Sequence, residues 1–186
     1  MKKAAVIVAP GFEEAETLTI ADILRRAHID CRLVGLDDVV AGAHGIQVRC
    51  DQLLSDEVCD FDMIILPGGY GGVDAMLACD KLIEVLKQMA DQGKYIGAMC
   101  AAPVVLEKAN LLSGKNFTAY KGYDQKIAQG HFCYEKTVVD GHLITSRGPA
   151  TAYAFAYKLV ELLGKDAIAV KNRMVYFNAF QVPSNE

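Results

Sequence analysis

No apolar run in the sequence approaches the roughly 18–20 residues that a bilayer-spanning helix needs, so no membrane partner is expected. Excess positive charge is lacking too. The 19 Lys and Arg are scattered against 23 Asp and Glu, giving a net charge of -4, so a nucleic-acid partner is not expected either. Among six cysteines (Cys31, Cys50, Cys59, Cys79, Cys100 and Cys133) there is no C-x-x-C, which disfavours a zinc site or a thioredoxin-type redox pair. The Gly-rich stretch at Pro67–Gly72 is followed by no Gly-Lys-Ser/Thr, which excludes a P-loop. It also fails the dinucleotide fingerprint, because counting from Gly69 and Gly71 the last glycine position holds Asp74. No metal and no P-loop or dinucleotide cofactor are therefore expected. No linker, repeat or low-complexity tract interrupts the 186 residues, and one domain spanning residues 1–186 is expected.

What is present is an ordinary globular balance, with 52% hydrophobic and 23% charged residues. Lys2 and Lys3 before Ala4–Ala9 imitate a signal peptide, but the apolar run stops at Pro10-Gly11 and Glu13, Glu14 and Glu16 follow. The better reading is a buried first strand in a cytoplasmic protein, whose cysteines are mostly reduced and buried. Strand-length apolar runs at Ala4–Ala9, Cys31–Leu36, Met63–Leu66 and Lys94–Met99 alternate with helical periods. Ile20, Ile23, Leu24 and Ala27 mark a helix over 14–27, and Leu82, Val85, Leu86 and Met89 another over 80–92. A short strand is expected at 46–50, a helix at 101–109, a strand at 117–119 and a polar helix at 123–129. Asp140-Gly141 predicts a hairpin between 137–139 and 142–145. Helices at 149–163 and 166–177 close the chain. This alternation implies an α/β fold, a mostly parallel sheet with helices on both faces.

In such a fold ligands bind beyond the carboxyl ends of the strands. At one such end, Ala98-Met99-Cys100-Ala101-Ala102-Pro103 runs from strand to helix almost without turn residues, in a small-x-Cys-x-small pattern. A nucleophile elbow has this construction, and a helix N-terminus would favour the Cys100 thiolate and place its pKa well below 8.5. The plainer alternative is a core cysteine in an Ala-rich layer. Pro67–Gly72 reads as a turn that brings backbone N–H groups close to a ligand. The N–H groups of Gly69 and Ala101 could form an oxyanion hole, or the glycines could make only a flexible turn. Glu13, Glu14 and Glu16 either complement a helix dipole in solvent or point one carboxyl inward, where burial would raise its pKa. His28, His44, His131 and His142 read as surface or structural residues, and none has the Glu two residues on that a glutamine amidotransferase requires.

Four ordered segments resemble the ThiJ/PfpI superfamily, and within it the group of the parkinsonism-associated deglycase and its bacterial YajL-like relatives. They are Gly11–Thr17, Leu66–Gly69, Ala98–Pro103 and Thr145–Thr151. The resemblance implies a flavodoxin-like three-layer sandwich, a homodimer, and a cysteine chemistry without cofactor. It assigns Cys100 as the oxidation-prone nucleophile, Glu16 as the acid hydrogen-bonded to its sulfur, and Gly69 and Ala101 as oxyanion donors. Gly68, Tyr120, Gly148 and Pro149 would line the pocket. Two departures stand out. Ala101 replaces the His that follows the nucleophile in the protease-like branch, and Tyr120 occupies the place of a pocket His, where a phenol near pKa 10 is a poor base. His44 stands where relatives often carry Arg.

Three functions follow as expectations. The first is an enzyme acting on glyoxals or early glycation adducts, with a small aldehyde or glycated substrate and a role in oxidative or carbonyl stress. The second is a non-enzymatic redox sensor or chaperone built on Cys100. The third is a cysteine hydrolase or amidase.

Overall fold

The computed structural model describes residues 1–178. Its strands are β1 (Lys3–Val8), β2 (Asp30–Gly35), β3 (Val39–Ala41), β4 (Gln47–Arg49), β5 (Gln52–Leu53), β6 (Met63–Leu66), β7 (Tyr95–Met99), β8 (Asn116–Phe117), β9 (His131–Phe132), β10 (Thr137–Asp140) and β11 (Leu143–Ser146). Its helices are α1 (Glu14–Arg26), α2 (Tyr70–Ala78), α3 (Asp80–Asp91), α4 (Pro103–Lys108), α5 (Ala152–Leu162) and α6 (Ala167–Arg173).

Seven strands form one sheet in the order β10-β11-β7-β6-β1-β2-β5. All its pairings are parallel except the β10–β11 hairpin at one edge. Renumbered by sequence, the inner parallel strands run 2-1-3-4-5, the flavodoxin-like order, and the chain reverses direction across the sheet between β1 and β6. In β1, five of six residues are buried, and all four in β6, so helices must cover both faces. One helix layer joins α1 to α5 and α6, and the other gathers α2, α3 and α4.

The helices form for the expected reasons. In α3 the stripe Leu82, Val85, Leu86 and Met89 is wholly buried, each side chain contributing about 1.5–3 kcal/mol by leaving water. Helix α1 buries Ile20, Ile23 and Leu24, with Arg25 and Arg26 in its last turn complementing the dipole. Four expectations change. The Gly-rich stretch does not remain a turn but winds into α2 from Tyr70, against Gly11 and Phe12. The polar segment 123–129 makes only a 3₁₀ turn at Asp124–Lys126, having no buried residue in that turn to hold a longer helix. The strand near 46–50 pairs with β3, a partner the alternation did not reveal. The last helix stops at Arg173, with a 3₁₀ turn at Tyr176–Asn178. No helix among the described residues is long and apolar enough to cross a membrane.

Candidate active site

The ends of β1, β6 and β7 lie side by side, and each hands over one part of the site. Cys100 follows β7 directly with φ +60, a left-handed conformation that costs a non-glycine residue about 1–3 kcal/mol and turns its side chain out of the strand. Backbone bonds hold this elbow from both sides. Cys100 N–H donates to the Ser146 carbonyl (3.0 Å), and Tyr120 N–H donates to the Cys100 carbonyl (2.8 Å).

From α1, the first helix after β1, Glu16 reaches under the elbow with no solvent exposure. Gly68 N–H donates to Glu16 Oε2 (2.6 Å), while Glu16 Oε1 is buried with no hydrogen-bond partner. Burial pushes the Glu16 carboxyl up to about 7, and Glu13's charge adds to this, only partly offset by the Gly68 N–H and Cys100. Burial likewise pushes the Cys100 thiol up, as does the adjacent Glu16 carboxylate, while the N–H groups of Ala101 and Gly69 at the sulfur pull it down. The low thiol pKa expected from a helix N-terminus is corrected here. Helix α4 has only six residues and begins three positions after Cys100, and a buried carboxylate sits on the other side. Two such neighbours cannot both ionise cheaply, so they titrate as a pair sharing one proton. The thiolate belongs to the form in which Glu16 holds that proton.

Gly68 and Gly69 fit this crowding. A Cβ at Gly68 would lie 2.6 Å from Cys100 Cβ, 2.9 Å from Sγ and 2.9 Å from Glu16 Oε2. Gly69 has φ +92, and a Cβ there would collide with the Gly11 carbonyl oxygen. Gly68 thus backs the sulfur rather than lining the open pocket, and Ala101 is likewise buried.

The sulfur opens into a cleft of about 240 Å³ lined by Glu13, Ala43, His44, Gly69, Tyr70, Cys100, Tyr120 and Pro149. Tyr70 and Tyr120 meet edge to face, with ring centroids 6.4 Å apart. Gly148 does not reach this cleft. It is buried behind Tyr120, where a Cβ would come within 3.3 Å of the ring, and it borders a neighbouring cavity.

At the mouth, sequence reading underestimated two residues. Glu14 is buried on a different face of α1 from Glu16. It accepts His44 Nδ1 (2.9 Å) and the His44 N–H (2.7 Å). The Glu14 side chain and the Glu13 charge hold His44 above the ordinary imidazole range. Burial pushes Glu14 up, but the bonds from His44 and from backbone N–H groups outweigh it and hold the carboxyl low. Glu13, Glu14 and His44 offer atoms within 4.8 Å of one another, as a metal site would, but Glu14's oxygens are already engaged by His44 and the loop. Tyr70 carried no signal beyond sitting inside the Gly-rich stretch.

The chain as a whole matches known proteins along most of its length. The model of the DJ-1/PfpI family matches residues 2–162. Protein dj-1beta of Drosophila melanogaster is 41% identical over 185 residues, which is 95% of this chain and 99% of that protein. Its crystal structure superimposes with a TM-score of 0.89 at 38% identity, covering 94% of this chain and 97% of that one. The oxidized form of Toxoplasma gondii DJ-1 gives a TM-score of 0.89 at 31% identity, covering 94% and 98%. The glutathione-independent glyoxalase DJR-1.2 of Caenorhabditis elegans is 34% identical over 168 residues, 87% of this chain and 89% of that protein. By sequence along its length and by the architecture of its sheet, the chain belongs to the DJ-1/PfpI family.

Proposed function

We propose that this protein converts small α-oxoaldehydes, or the adducts they form, to hydroxy acids, using Cys100 as nucleophile and Glu16 as proton carrier. The observation that carries this reading is the buried Glu16 carboxyl beside a sulfur that faces two backbone N–H groups. A similar protein bearing the name glyoxalase supports it. The thiolate adds to the aldehyde carbon, and the carbonyl oxygen takes the charge within reach of the Gly69 and Ala101 N–H groups, then a proton from Glu16. The Glu16 carboxylate then takes the hydrogen of that carbon as a proton, and the resulting enediol is reprotonated on the neighbouring carbon. This leaves a thioester of a hydroxy acid. Water cleaves the thioester and returns the thiol. The aldehyde carbon is oxidised as the ketone carbon is reduced, so electrons balance within the substrate and one water is consumed.

The test uses purified protein, methylglyoxal and no added cofactor, run in heavy water. Lactate should accumulate with solvent deuterium at the carbon bearing the hydroxyl wherever Glu16 exchanges its proton. No lactate, from methylglyoxal or from glyoxal-derived adducts, would overturn the proposal. A cytoplasmic homodimer belongs to the same reading. Sedimentation should give twice 20.2 kDa, and a monomer at working concentration would remove that part of it.

A redox-sensing role has its own supporting observation, because the same donors that face the sulfur fit the oxygens of a sulfinate. Mild peroxide should oxidise Cys100 first, each peroxide giving one oxygen atom to sulfur and leaving as water. Burial raises the thiols of Cys31 (to about 12, with Arg25 offsetting part of it), Cys50 and Cys59 as it does that of Cys100, but Cys100 is the one whose sulfur opens into the cleft beside a carboxyl able to hold its proton. Peptide mass spectrometry that finds several cysteines oxidised equally, or Cys100 in a disulfide, would count against a specialised thiol.

A further inference from the structure

A second cavity of about 360 Å³ adjoins the Cys100 cleft, and Tyr120 and Pro149 line both. The rest of its lining is Lys121, Lys136, Arg147, Gly148, Ala150 and Thr151. Three cations and no carboxylate line this space, in a chain whose net charge is -4. The first cleft is the reverse, with Glu13 in its wall and Glu14 behind His44.

Nothing among the described residues neutralises these cations. Lys121, Lys136 and Arg147 enter no salt bridge there, although Lys115 close by pairs with Asp140. Arg147 is held in place by its guanidinium lying 4.0 Å over the Tyr134 ring, a contact that fixes it without cancelling its charge. Its Nε is buried with no hydrogen-bond partner. A buried donor left unmet is destabilising, so this position gains from an acceptor that reaches it. The segment carrying Lys136 is pinned as well, since Ser146 Oγ donates to the Lys136 carbonyl (2.7 Å).

Most of the remaining surface is apolar, made by the Tyr120 ring, Pro149 and Ala150, while the Thr151 hydroxyl is already engaged by Ser146 Oγ and the Gly148 carbonyl. A polyhydroxylated body would find few partners on that floor, whereas a short hydrocarbon or aromatic spacer would fit it. A guanidinium in a wall that also carries two lysines suits a planar carboxylate.

We propose that this cavity binds the carboxylate end of a carbonyl compound whose reactive carbon meets Cys100, with an apolar spacer lying along Tyr120 and Pro149. The inference rests on Cys100 being the nucleophile and extends that reading to a substrate class, the carboxylate-bearing aldehydes and α-oxoaldehydes.

Two measurements on the full chain test it. In the first, p-toluate and its uncharged amide are titrated against the protein by NMR. The acid should bind more tightly and shift the backbone amides of Gly148, Ala150 and Thr151. The double variant Lys121→Gln with Lys136→Gln, both exposed positions, should weaken the acid by about fivefold and leave the amide unchanged. In the second, p-(bromomethyl)benzoate and the matching benzamide compete to alkylate Cys100. The wild type should prefer the acid, and the double variant should lose that preference. Equal binding of acid and amide, no effect of the lysine changes, or inorganic phosphate binding as tightly as toluate would overturn the site. Lysine-dependent toluate binding beside an inert Cys100 would uphold the site and refute the nucleophile. A reactive Cys100 showing no preference would do the opposite.

Discussion

Glu16→Gln is expected to abolish most turnover while making the fold less sensitive to alkaline pH. The two effects have one cause. Burial raises the Glu16 carboxyl from its ordinary 4.5 to about 7, so the native site holds that proton more tightly than the unfolded chain does. The stability this contributes is fully present below pH 4.5 and is lost as pH rises through about 7. The difference of about 2.5 units corresponds to about 3 kcal/mol at 1.36 kcal/mol per unit. A glutamine carries no charge at either pH. Relative to wild type, the variant should therefore gain about 3 kcal/mol between pH 4 and pH 8.5, which is a shift of several degrees in melting temperature. Parallel melting curves across that range would show that Glu16 does not ionise in a buried site. Glutamine cannot carry the proton between substrate carbons, so turnover should fall by about 10²–10⁴-fold. Unchanged kinetics would return Glu16 to the role of an ordinary first-turn acid.

Gly68→Ala should damage the site almost as much, through shape alone. The added methyl would lie 2.6 Å from Cys100 Cβ and 2.9 Å from both Sγ and Glu16 Oε2, distances that Cβ atoms do not tolerate. None of these neighbours is the free end of a flexible surface chain, so either the elbow or α1 must move. Overpacking of this kind costs about 1–3 kcal/mol of stability. A nucleophile displaced by about 1 Å loses on the order of 10²-fold in rate. Calorimetry and methylglyoxal kinetics on the same preparation check both parts. Gly45→Ala is the contrast, since a Cβ at Gly45 meets nothing within 4 Å. It carries only the strain of a positive φ and should spare turnover. Equal kinetic losses in the two variants would mean that crowding around the sulfur is not what matters.

The sequence made most of this architecture readable, for physical reasons that can be named. Buried parallel strands such as Met63–Leu66 show as uninterrupted apolar runs, and α3 shows its stripe because one face is wholly inside. The Cys100 elbow was visible because a strand entering a helix through small residues is a local pattern, whereas the positive φ at Cys100 is seen only in the structure. Other features depend on contacts distant in sequence. Helix α2 hides in a glycine run because its glycines are there to pack against Gly11 and Phe12, far away in the chain. The His44–Glu14 pair spans 30 positions and leaves no periodic trace. The Cys100 thiol was misjudged for the same reason. A helix N-terminus can be read from sequence, whereas the burial of Glu16 beside the sulfur appears only when β1 and β7 are brought to the same end of the sheet.

The central claim is that Cys100 and Glu16 form one proton-sharing catalytic pair, and Cys100→Ser tests it most directly. Serine keeps the size and a hydrogen-bonding group but has no accessible anion at neutral pH. Lactate formation from methylglyoxal should follow the wild type's pH profile, rising as the pair loses its first proton near or below pH 7, and should fall to the uncatalysed rate in Cys100→Ser at every pH. A folded Cys100→Ser protein that still produced lactate at the wild-type rate would contradict the account.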